Sequence, residues 1–216
     1  MVKKITDFEI TIDQDNVMLL MDCGKDSNVY PRVVEELEEI LEEAYQRIEP
    51  VALLAIGQLG QFEDKIEGIK ASRKRDEFLG LYVMKSIGRR ISEWSTQCFE
   101  EGDYLKGMLV DAVADDYLFQ MNETLKPVIV EMCLERGYGV ERRLEAPHDL
   151  PMSVQRKGWE LTKAKELAGI DIKESFMLDP VKSTCKVFLL KENSKEFHVD
   201  HDCSTCPNLT CKLRKT

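Results

Sequence analysis

Six consecutive apolar residues, Val51, Ala52, Leu53, Leu54, Ala55 and Ile56, stand between Pro50 and Gly57. A run this short and this continuous describes a strand covered on both faces, because a strand with one wet face alternates instead. Pro50 stops the helix before it, and Gly57 and Gly60 punctuate the residues after it. The rest of the chain must therefore supply two covering layers. A helix stands upstream of this strand. Over residues 32–48, Val33, Leu37, Ile40, Leu41, Ala44 and Ile48 recur at helical spacing, opposite Glu35, Glu36, Glu38, Glu39, Glu42 and Glu43. Asp26, Ser27 and Asn28 followed by Pro31 mark the start of this helix, and its glutamate face reads as a wet surface.

The other elements emerge from the same periodicities. Alternating Phe8, Ile10 and Ile12 predict a half-buried strand at the start, and residues 78–84 predict a second buried strand running into Ile87-Gly88. Residues 89–99 form a helix with Ile91, Trp94 and Cys98 inward. Residues 104–136 form a long helical region whose face carries Leu105, Leu109, Val113, Leu125, Ile129, Met132 and Cys133. Pro127 should start a new helix or kink this one. Residues 142–155, with Pro147, His148 and Pro151, read as an extended loop; a helix then runs to residue 168, and residues 187–190 make a last strand. Trp94 and Trp159 read as packing residues. Residues 61–77 are polar and carry no assignable pattern. Helices and strands mix without a βαβ rhythm, which predicts an α+β fold: a mostly antiparallel twisted sheet flanked by helices.

A chain of 216 residues suits one sizeable core. We expect a domain over residues 1–197 and a Cys-rich tail over 198–216. The net charge of -10 argues against non-specific nucleic-acid binding. Two short basic groups, Arg73, Lys74 and Arg75, and Lys212, Arg214 and Lys215, read as solvated faces. No signal peptide opens the sequence and no apolar run nears the roughly 20 residues a bilayer needs, so a cytoplasmic protein without a membrane partner is expected. There, seven cysteines read as thiols and ligands rather than disulfides. Cys203, Cys206 and Cys211 lie close together beside Pro207 and Asn208 in a tail almost without apolar residues, which points to a shared metal or cluster. We take Cys185 as the fourth ligand, with His198, His201 and Cys23 left open. Four thiolates suit an iron–sulfur cluster; three thiolates and a histidine suit structural zinc. No phosphate loop, Ser-His-Asp set or His-Glu-x-x-His motif supports a hydrolase.

The run Glu174-Ser175-Phe176-Met177-Leu178-Asp179-Pro180-Val181-Lys182-Ser183 resembles the Glu-Ser-Phe-Met-x-x-Pro-x-Lys-Ser signature of the activation domain of cobalamin-dependent methionine synthase and its free-standing relatives. Ile87-Gly88, Gly102-Asp103-Tyr104 and Leu109-Val110-Asp111-Ala112 fall in that family's order, and relatives in anaerobes end in tails like Cys203-x-x-Cys206-x4-Cys211-x-x-Arg214. The resemblance implies reductive reactivation of a corrinoid on a partner methyltransferase or corrinoid protein. An electron donor protein reduces cobalt, and S-adenosylmethionine supplies the methyl group. It further implies that Glu174, Ser175 and Phe176 line the corrinoid and S-adenosylmethionine cleft, that Ser183 is among the cofactor-binding residues, that Asp115 is an acid near the ligand, and that Arg142 holds the methionine carboxylate. His148 reads as a solvated loop residue or a lower cobalt ligand. Where the family carries Pro-Gly-Tyr, this chain has Glu145-Ala146-Pro147. The alternatives are a paralogue without the methyl donor, a non-catalytic binding or assembly module with a zinc-stapled tail, or an iron–sulfur electron carrier.

Overall fold

A computed structural model describes residues 1–60, 78–204 and 206–214. Residues 61–77, with the Arg73, Lys74 and Arg75 group, and Lys215 lie outside the described residues.

The doubly covered strand is β2 (Val51–Gln58), second in a five-stranded sheet. Its companions are β1 (Val2–Ile5), β3 (Leu79–Ser86), β4 (Tyr138–Glu145) and β7 (Ser183–Glu192), in the order β1-β2-β3-β7-β4, and every neighbouring pair is antiparallel. Alternate residues of one strand serve opposite layers. Ala52 and Leu54 join Leu81, Val83, Phe188 and Leu190 beneath Leu125, Ile129, Met132 and Cys133 of the 31-residue helix α4 (Tyr104–Leu134). Leu53 joins Tyr82, Met84, Val187 and Leu189 on the other face, against Val154 of α5 (Val154–Thr162) and Ala164 of α6 (Ala164–Ala168). A further cluster packs α1 (Gln14–Leu20), α2 (Tyr30–Arg47) and α3 (Arg90–Glu100) on the first half of α4. At about 1.5 Å per residue, α4 is roughly 46 Å long and serves both the sheet and the helical cluster.

Close approach of α5 to the sheet requires missing side chains. A Cβ on Gly57 would fall 2.7 Å from Leu161 Cδ1, and one on Gly158 would fall 2.5 Å from Cys185 Sγ.

Several expectations are corrected. Phe8, Ile10 and Ile12 form no strand; their segment lies over the helical cluster, where the Ile12 amide donates to the Tyr45 hydroxyl at 2.8 Å. The first strand is β1, whose Lys3 and Lys4 suit a sheet edge. The expected loop over 142–155 begins as β4, a charged edge strand whose Glu145 pairs with Lys186 of β7. The helix expected to run to 168 breaks at Lys163, which has φ 52°. α4 continues through Pro127 as one helix. Trp94 is buried with Arg47 and Lys106 over its ring, and Trp159 donates from Nε1 to the Ile170 carbonyl at 2.8 Å, so both pack as expected. Among the described residues no helix is long and apolar enough to cross a membrane.

Candidate functional site

The signature run builds a hairpin. Strand β5 (Asp171–Ile172) pairs with β6 (Leu178–Asp179), and residues 173–177 form the tip. The Lys173 amide donates to the Met177 carbonyl at 2.9 Å, and the Phe176 amide to the Lys173 carbonyl at 3.0 Å. Phe176 has φ 65°, a left-handed conformation uncommon outside glycine. Glu174, Ser175 and Met177 are exposed and Phe176 is half-buried, with the Arg156 guanidinium 5.7 Å from its ring centroid. Val181, just beyond a cis Asp179–Pro180 bond, is 65% exposed. The hairpin thus presents three apolar side chains beside a carboxylate and a hydroxyl.

Lys182 anchors this hairpin to the body of the protein. Its side chain is 11% exposed, and Nζ stands 2.9 Å from Asp111 Oδ1 and 2.7 Å from Asp115 Oδ1, one turn apart on α4. Its carbonyl accepts from the Ile87 amide at 3.3 Å; Ser183 and the buried Ser86 exchange a hydroxyl bond of 2.8 Å; and Arg89 reaches Asp179 at 3.5 Å. Asp115 and the signature are therefore brought together, although Asp115 serves Lys182 directly. Ser183 ties β7 to β3. A shallow cleft of ≈ 290 Å³ opens between α3 and Asp179, Pro180 and Val181.

Arg142 lies elsewhere. It shares a strand face with Leu144, which packs in the α5 layer, and its guanidinium bonds Asp149 at 2.6 Å. The other Asp149 oxygen accepts from the Glu145 amide at 2.9 Å, closing the turn that holds Ala146 and Pro147. Arg142 and Asp115 thus have separate partners and do not converge. His148 is exposed.

On the α4 side, a group of buried charges escaped the sequence reading. Lys85 is 1% exposed and donates to the Leu118 carbonyl of α4. Burial, aided by Lys186 and Arg143, holds its ammonium well below the usual lysine range. Lys186 is lowered to about 8, by burial first and Arg143 next, against the pull of Glu145. Burial pushes the Glu145 carboxyl up, but Lys186 and Arg143 outweigh it and hold it at about 2. The available signal was a lysine inside an otherwise apolar strand, at 85 and again at 186.

The tail runs from the sheet edge back to the helices. Phe197 bridges Val140, His201 Nδ1 lies 3.5 Å from Glu145, Lys126 of α4 pairs with Asp200, and Lys212 Nζ reaches the Leu20 carbonyl at 3.4 Å. Cys203, Cys206 and Cys211 are half-buried free thiols. Cys185 does not join them: it sits in the core beneath Gly158, and burial pushes its thiol up to about 12. Cys98 and Cys133 are core residues as expected. Among the described residues no three His, Cys, Asp or Glu side chains already stand where they could hold a metal ion.

The fold is similar to that of a solved structure described as the crystal structure of the MetH reactivation domain bound to AdoHcy. The match covers 94% of this chain and 82% of that chain with a TM-score of 0.63, at 14% sequence identity. It establishes an activation-domain-like α+β fold. No protein-family model and no curated protein sequence matches the chain.

Proposed function

We propose that this protein reactivates a corrinoid held by a partner methyltransferase or corrinoid protein in the cytoplasm, using S-adenosylmethionine as methyl donor and an electron donor protein as reductant. The observation that carries this reading is the exposed hairpin at residues 173–177, with Phe176 and Met177 at its tip and Val181 beside it, on a fold shared with a domain that binds AdoHcy. An exposed apolar patch rimmed by polar groups suits a flat macrocycle presented by a partner better than a ligand enclosed by this chain. Phe176 and Met177 would lie against the ring, with Glu174 and Ser175 meeting its polar rim.

The reaction balances in electrons and atoms. One electron from the donor reduces Co(II) to Co(I). The Co(I) electron pair attacks the sulfonium methyl carbon, a cobalt–carbon bond forms, and the sulfur–carbon bond breaks with its pair left on sulfur as S-adenosylhomocysteine. In this reading the half-exposed Asp115 carboxylate attracts the sulfonium while retaining Lys182.

A second reading has one specific observation in its favour: Arg142 is already neutralised by Asp149 in the turn that departs from Pro-Gly-Tyr. In that case the chain binds a corrinoid protein, or carries electrons to it, without a methyl donor. Calorimetry separates the two. Saturable heat with S-adenosylmethionine and with S-adenosylhomocysteine, lost in Asp115→Asn, supports the first reading; no heat at millimolar ligand leaves only the second.

A further inference from the structure

We propose that Cys23, Cys203, Cys206 and Cys211 form a tetrathiolate metal site that staples the tail to the end of α1. The inference stands apart from the corrinoid reading.

The tail is tied by polar contacts but has little apolar burial to order it. In residues 198–214 no helix or strand forms among the described residues, Val199 is buried, and Leu209 is 77% exposed. Fixing a backbone costs about 1–2 kcal/mol per residue, and burial of one valine offsets little of that. Small segments without a core are held by cross-links or metals. The thiols at 203, 206 and 211 have the close spacing of a ligand set, and the turn between them is already closed. Arg214 donates to the Cys206 carbonyl at 3.2 Å and to the Asn208 carbonyl at 3.1 Å, while its own amide bonds the Cys211 carbonyl at 3.2 Å.

Three thiolates leave a tetrahedral site one ligand short. Cys185 is enclosed in the core, and His201 stands beside Glu145 at the end of β4. Cys23 is the candidate to which the tail leads. Lys212, next to Cys211, places Nζ 3.4 Å from the Leu20 carbonyl and 3.7 Å from Asp22 Oδ1, next to Cys23. Cys23 is itself held: Asp22 is left-handed at φ 57°, and the Cys23 amide closes the end of α1 on the Met18 carbonyl at 3.0 Å. Its thiol is free and half-buried. The backbone at the helix end is thus fixed beside Lys212 of the tail; no three of these ligands already stand around one point among the described residues, and loading draws the four sulfurs together. Each thiol loses its proton as its metal bond forms, so a fully loaded site releases four protons and binds more tightly as pH rises.

The test uses the full-length reduced protein under argon, stripped with a chelator and titrated with Co(II) as a chromophoric stand-in for zinc; a parallel sample receives Fe(III), sulfide and a thiol reductant, which together supply the mixed Fe(II) and Fe(III) of a cluster. Wild type is expected to take one Co(II) with the intense visible bands of a tetrahedral tetrathiolate, or to build a cluster absorbance with iron and sulfide, which identifies the occupant. Cys23→Ser and Cys203→Ser should weaken binding at least ~10-fold and lose tetrathiolate intensity, with melting of the stripped proteins unchanged. Cys185→Ala should bind as wild type. The proposal is overturned if wild type binds neither metal, or if Cys23→Ser gives the wild-type spectrum and affinity. A Cys23→Ser chain that melts early is replaced by Cys23→Ala, judged by the same spectrum.

Discussion

Replacing Lys182 by methionine isolates the contact that anchors the hairpin. The ammonium is 11% exposed and meets Asp111 at 2.9 Å and Asp115 at 2.7 Å, but those carboxylates are 50% and 39% exposed. Hydrogen bonds to charged groups are worth about 1.5–3 kcal/mol each when sheltered, and exposed pairs under about 1 kcal/mol. The half-wet carboxylates place the pair of contacts between these limits, at about 2 kcal/mol together. The freed aspartates then repel one another across one helical turn for a few tenths of a kcal/mol more. In a chain of this size each kcal/mol moves the melting midpoint by about 2–4 °C, so Lys182→Met should lower Tm by about 4–8 °C in low salt. Asp115→Asn combined with Lys182→Met should lose less than the sum of the single changes, with a coupling of at least ~0.5 kcal/mol. Hydrogen exchange at the Ile87 amide, which bonds the Lys182 carbonyl, should quicken. A Tm within about 1 °C of wild type, with additive single changes, refutes the anchoring role.

Gly158→Ala places a methyl 2.5 Å from Cys185 Sγ and should cost about 1–3 kcal/mol in urea unfolding, with Cys185→Ala in the same chain returning part of it; wild-type stability in the single variant contradicts the close packing of α5. Lys186 titrates at about 8 when folded and near the ordinary lysine value of 10.5 when unfolded, so the unfolded chain binds more protons between those values and the lysine's contribution to stability rises with pH across that window. The stability of wild type minus that of Lys186→Met should therefore grow from pH 8 to 10.5, a difference in which buried thiols such as Cys185 cancel; a flat difference contradicts it. Glu145, lowered from 4.5 to about 2, should cost the fold stability as pH falls through that interval, and Glu145→Gln should flatten this acid limb. Phe176→Ala should leave Tm within about 2 °C yet weaken binding to a corrinoid protein at least ~10-fold; equal affinity removes the ring from the contact face.

What the sequence revealed depended on whether the signal was local. β2 was legible because six apolar residues in a row have few other uses, and α2 because its two faces separate cleanly. β4 was not, because its arginines and glutamates find partners on β7 and in the turn after it, which no local pattern announces. Phe8 to Ile12 alternate as a strand does, yet their neighbours are helices α2 and α4, through Tyr45 and the Asp13 amide on buried Asp116. The signature run was recognisable as a motif, but the pairing of β5 with β6 that makes it a hairpin was not read from it. Its anchor spans 67 residues of sequence between Asp115 and Lys182, a distance at which only the fold makes two charges neighbours. Cys185 looked like a ligand because spacing says nothing about which side of a strand a thiol occupies.

In the function we propose, the hairpin at residues 173–177 meets a corrinoid carried by another protein. The most direct measurement is the visible spectrum of a cobalamin-loaded methionine synthase cobalamin domain in its Co(II) form, with a low-potential reductant and S-adenosylmethionine, before and after this protein is added in excess. Wild type should convert it to the methylcobalt(III) spectrum, and Phe176→Ala or Glu174→Ala should convert little. An unchanged Co(II) spectrum with wild type, together with no association between the two proteins by calorimetry, contradicts the claim.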